Sequence, residues 1–161
     1  MSLVFELEED NEYFPLYGLV TDLAGFKICA RLSKIIGVEL THELAYEKKH
    51  KAISLSINNE TIFFDKYIWA DKGSEHRIEL IHNIASLPAG NSKTTNPMGL
   101  FQDELFEEQV FLLQEWKEVR YIIKVEGENC FFKPQDLKKI SGVRMVLEEP
   151  IEKFKEYNRI L

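Results

Sequence analysis

The sequence predicts an α+β fold: a mainly antiparallel sheet of about six strands with one long and one short helix packed on it. Three observations carry that expectation. Several short segments alternate apolar and polar residues with period two, as strands with one wet face do. Residues 22–36 instead repeat their apolar positions at the spacing of one helix face. The connections between successive strands in the first half are too short for parallel crossovers, so neighbouring strands run antiparallel.

A chain of 161 residues has the length of one ordinary domain, which we assign to residues 13–161. Residues 1–12 end in ELEEDNE, five acids without a base, and are expected to fray. A hydrophobic content of 45%, including 11 Phe, is that of a chain able to offset its ordering entropy by burial. The net charge of -7 opposes a phosphate backbone, so no nucleic acid is expected as a partner. No apolar run is long enough for a membrane span, and the acidic start is unlike a secretory leader, so the expected location is the cytoplasm. The two cysteines, Cys29 and Cys130, have neither metal-ligand spacing nor disulfide density, and Cys29 lies on an apolar helix stripe as a small hydrophobe.

In chain order, residues 16–21 (LYGLVT) read as a strand, and Asp22 stands where an N-cap is expected. Ile28, Cys29, Leu32, Ile35 and Ile36 form the apolar face of the long helix, and Gly37 ends it. Lys27, Arg31 and Lys34 make a separate basic stripe that could hold an acidic segment. ISLSI at 53–57 alternates cleanly, and Asn58-Asn59 supplies a hairpin turn. Residues 60–70 (ETIFFDKYIWA) read as one strand apolar on both faces, with Ile62, Phe64 and Ile68 on one and Phe63, Tyr67 and Trp69 on the other. The second face lacks an obvious cover, which marks Phe63, Tyr67 and Trp69 as a candidate interaction surface.

A turn at 71–74 leads to a strand over 76–85, completing a meander. Residues 86–99, with two Pro and two Gly, are expected to be a mobile loop. Val119, Tyr121, Ile123 and Val125 alternate with polar residues, as in a strand with one buried face. Pro134 opens a short helix ended by Gly142, a strand follows over 143–147, and Ile151, Phe154 and Tyr157 give the tail a weak docking stripe.

Motifs that bring chemistry are sparse. Of four histidines only His76 and His82 share a face, and six positions along a strand separate them by about 20 Å, too far for one metal ion. The glycines are dispersed, without a phosphate loop or dinucleotide fingerprint, and no cofactor is expected. Weak acid-base candidates are His82, Glu115 and Tyr121.

The stretch LQEWKEVRY, residues 113–121, resembles the signature of the IPExxxVDY family of uncharacterised bacterial proteins. Leu113, Glu115, Val119 and Tyr121 stand at its Ile, Glu, Val and Tyr positions, while Gln114 replaces the Pro and Arg120 the Asp. The strand and helix at 17–37, LIHN at 80–83 and Leu100-Phe101 are similar in layout. The resemblance implies no reaction, cofactor or catalytic residue. Physically the signature reads as the entry to a strand.

Two functional expectations follow. The first is a non-catalytic binding or interaction module that self-associates as a homodimer through the uncovered aromatics. The alternative is a small enzyme whose acid-base site lies near the 86–99 loop.

Overall fold

The computed structural model describes residues 15–43, 53–57, 59–73, 75–87, 109–127 and 133–161. Ten strands are described: β1 (Pro15–Thr21), β2 (Thr41–Glu43), β3 (Ile53–Ile57), β4 (Glu60–Phe64), β5 (Lys66–Ala70), β6 (Arg77–His82), β7 (Ile84–Ser86), β8 (Gln109–Phe111), β9 (Tyr121–Glu126) and β10 (Val143–Pro150). The helices are α1 (Gly25–Ile36) and α2 (Pro134–Leu137). Six strands form one antiparallel sheet in the order β10-β1-β9-β6-β5-β2, which is the α+β architecture the sequence predicts. Two small ribbons, β3-β4 and β7-β8, stand beside it. Because β9 and β10 are both antiparallel to β1, they run parallel to each other, and the chain passes through α2 between them.

The sheet is covered on both faces. On the helix side, Tyr17, Leu19, Leu80, Tyr121 and Ile123 pack against Ile28, Cys29 and Leu32 of α1 and Leu137 of α2. On the other side, Leu16, Ile81 and Ile122 meet the β3-β4 ribbon, Trp116 and the C-terminal segment. Full burial of each such aliphatic side chain contributes about 1.5–3 kcal/mol before entropy is charged. The tail docks more firmly than its spacing suggests: Ile151, Phe154 and Ile160 are all buried, and Phe154 meets Trp116 edge to face at 4.6 Å.

Several expectations are corrected by packing. Helix α1 starts at Gly25 with Ala24 as its N-cap, because Asp22 faces Arg144 at 3.3 Å and the Thr21 hydroxyl accepts from the Leu23 amide. Its end is as expected, with Gly37 left-handed at φ 75° and its N–H donated to the Ser33 carbonyl. The stretch 60–70 is two strands: the chain leaves the ribbon at Asp65, whose carbonyl accepts from the His82 amide at 2.8 Å, and enters the main sheet at Lys66. The stretch 76–85 likewise breaks at Asn83. β9 has no wet face, since Tyr121, Ile122, Ile123 and Lys124 are all buried between β1 and β6. Val119 precedes it and packs on the opposite side from Tyr121. Helix α2 spans four residues, and β10 runs to Pro150. The turn at Asn59 does take a positive φ of 66°, within a β3-β4 register that pairs Ile57 with Glu60. The acidic terminus 1–12, Asn58, Cys130 and most of the predicted 86–99 loop lie outside the described residues.

Candidate functional site

The segment 113–121 is organised by Asn83, a fully buried residue at the break between β6 and β7. Its Nδ2 donates to the carbonyls of Trp116 and Val119, both at 2.9 Å, and its Oδ1 accepts from the Leu113 amide at 2.9 Å. Its backbone adds two bonds: the amide donates to the Arg120 carbonyl, and the carbonyl accepts from the Leu112 amide. One side chain therefore satisfies the polar backbone of a loop that leaves the sheet and folds under it, which an apolar residue could not do. Gly18 completes the seat, because a Cβ there would lie 2.8 Å from Val119 Cγ2 and 2.9 Å from the Trp116 ring.

Two of the three acid-base candidates come together. The His82 ring stacks on Tyr121 with centroids 5.0 Å apart, and the Tyr121 hydroxyl donates to the Leu23 carbonyl at 3.0 Å. Burial, reinforced by the Arg120 charge, holds His82 below its usual pKa, while burial pushes the Tyr121 phenol up. Arg120 donates to the Asp22 carbonyl and lies 5.8 Å from the Tyr121 ring. Glu115 sits apart from the pair, exposed on the tail side, where its carboxylate accepts from the Lys155 amide at 3.1 Å. His82 also borders a cleft of about 340 Å³ shared with Phe63, Asp65, Ile84 and Ala85.

A second polar constellation was invisible to local pattern. On the tail-side face, Glu79 lies directly opposite Lys124 and Arg77 opposite Glu126. Lys66, Glu79 and Lys124 are each no more than 5% exposed. Arg77 and Glu79 pair, Lys66 lies 3.6 Å from Glu43 and 3.7 Å from Glu79, and Lys124 is 2.5 Å from Glu126. Lys124 also donates to the Ile160 carbonyl at 3.1 Å, so the tail roofs this ionic patch. Alternation assigns Glu79 and Lys124 to a wet face. The available signal was the run Tyr121, Ile122, Ile123, which demands cover on both sides and so carries Lys124 inside with them.

The candidate interaction residues divide. Tyr67 and Trp69 are half-buried against the helix-side core, whereas Phe63 stays 50% exposed on the outer side of the ribbon. The split at Asp65 explains this, since it places Phe63 and the other two aromatics in different sheets. Lys27 and Lys34 are exposed, and Arg31 leans over the α2–β10 turn to donate to the Ser141 carbonyl. Cys29 is buried, its thiol donating to the Leu40 carbonyl and held above the ordinary pKa by burial. Among the described residues no group of three or more His, Cys, Asp or Glu is placed to hold a metal ion, and no helix is long and apolar enough to cross a membrane. Comparison with protein-family models, with curated proteins and with solved structures finds no match to this chain.

Proposed function

We propose that this protein is a non-catalytic, cytoplasmic interaction module that self-associates as a homodimer. The observation that carries the reading is Phe63, a large aromatic half exposed beside a cleft that it helps to line. A two-fold axis through such a patch lets each copy place its Phe63 in the other's cleft, because an isologous contact uses the same surface twice. The polar groups a reaction would need are engaged in holding the fold: Tyr121 and Arg120 bond the β1–α1 connection, and Glu115 bonds the tail. The resemblance of 113–121 to the IPExxxVDY signature fits this reading, since the Asn83 clamp gives that segment a structural task.

Sedimentation velocity at low micromolar concentration tests the proposal. The wild-type chain is expected to sediment as a dimer and Phe63→Ser as a folded monomer with unchanged circular dichroism. A wild-type chain that stays monomeric across the concentration range overturns it.

A further inference from the structure

Strand β10 ends the main sheet, and among the described residues no strand pairs with its outer side. Two features limit what can add there. The register shift between Val20 and Thr21 distorts the ladder near Val143, and Pro150 lacks an amide proton. Bulges and prolines on an edge are the devices that keep two sheets from joining, so a second copy of the sheet is a poor occupant. What they leave is a regular stretch, residues 145–149, long enough to hold a short extended peptide.

The ground beside that stretch is shaped for one. On the helix side of β10 lies a groove of about 530 Å³ whose wall combines Tyr17, Val146 and Glu148 with Lys133, Pro134 and Lys138 of the α2 segment. Tyr17 pairs with Glu148 and Leu19 with Val146 in the β1–β10 register, so Tyr17, Val146 and Glu148 present their side chains to this one face. Its far rim is cationic. Lys133 and Lys138 are exposed there, and Lys139 and Arg144 lie exposed nearby. Arg31, bonded to the Ser141 carbonyl, brings the basic stripe of α1 up to the same turn. On a chain of net charge -7 this is a local reversal of sign.

We infer that the β10 edge and the α2 groove bind an extended acidic peptide, which adds as a further strand along residues 145–149 and directs alternate acidic side chains to Lys133 and Lys138. Backbone pairing supplies affinity in this mode and the pockets for alternate side chains supply selectivity. The surface is separate from Phe63 and does not depend on the dimer.

The test is fluorescence polarisation of the full chain with a short labelled peptide of alternating Val and Glu, and with its Val-Lys counterpart. The Val-Glu peptide is expected to bind and the Val-Lys peptide not. The double variant Lys133→Glu with Lys138→Glu is expected to weaken binding about tenfold, two exposed charge pairs at the upper part of their usual range. N-methylation of one alternate set of peptide amides is expected to abolish binding while the other set leaves it intact, a pattern that charge attraction alone does not produce. Equal tolerance of both methylated sets, or no effect of the lysine substitutions, overturns the inference. So does displacement of the peptide by a single-stranded oligonucleotide at lower concentration than by unlabelled peptide. If the peptide dissociates a wild-type dimer in sedimentation, the edge is the interface between copies and the inference is wrong, while self-association itself stands.

Discussion

Replacing Asn83 with Leu fills nearly the same space and removes three hydrogen bonds at once. It strands the Leu113 N–H and the Trp116 and Val119 carbonyls in a site with no solvent exposure. A buried polar group left without a partner costs about 1–3 kcal/mol, and part is recovered by local shifts, so the expected loss is about 3–5 kcal/mol. That is a large share of the about 5–15 kcal/mol that holds a domain together. At this chain length each kcal/mol moves the thermal midpoint by about 2–4 °C, so the midpoint should fall by about 10 °C or more. Asn83→Asp sharpens the test. The introduced carboxyl keeps the acceptor for Leu113 but faces two carbonyls where Asn83 presented a donor. Ionised, it is repelled; protonated, it can donate to one of them. Its folded pKa is therefore raised, the folded state holds the proton more tightly than the unfolded one, and stability falls as pH rises above about 4. Urea denaturation of both variants from pH 4 to 8 measures this. A loss below about 1 kcal/mol for Asn83→Leu, or an Asn83→Asp variant that gains stability with rising pH, would refute the clamp.

Other perturbations probe neighbouring parts. Gly18→Ala drives a methyl into Val119 and Trp116 and should cost about 1–3 kcal/mol by overpacking; Trp116→Leu in the same chain should recover part of it, read by thermal denaturation. Glu79→Leu and Lys66→Leu should each destabilise strongly, by about 3 kcal/mol, because each takes a charge partner from the other, which is buried. The double variant should cost less than their sum, and simple additivity would contradict the ionic pairing across β5 and β6. His82 has a folded pKa below its unfolded value of about 6.5, so the folded state binds fewer protons and stability declines as pH falls through that value. His82→Phe, which retains the stack on Tyr121, should flatten that part of the profile between pH 7.5 and 5.5.

Much of this molecule is legible from local chemistry. The apolar stripe 28–36, closed by Gly37, specifies a helix whatever surrounds it, because spacing and a left-handed cap are properties of the chain alone. ISLSI and the Asn58-Asn59 turn specify a hairpin for the same reason, and the antiparallel class follows from connection length. Phe63 was readable as an exposed aromatic, although Tyr67 and Trp69 beside it were not separable from it by pattern.

What the sequence determined by itself, then, are those elements whose hydrogen bonds and buried faces close within a few residues. Tertiary structure alone decided the break at Asp65, the passage of β1 between β9 and β10, and the burial of Lys66, Glu79 and Lys124. It also decided that Asn83 would anchor a loop some thirty residues ahead of it in the chain, with Leu113 held at a separation of 30. Each of these depends on which distant strand arrives alongside. A charge flanked by apolar residues belongs in water until an opposite charge is set beside it, and for Glu79 the pairing of β5 with β6 brings Lys66 to 3.7 Å as that neighbour.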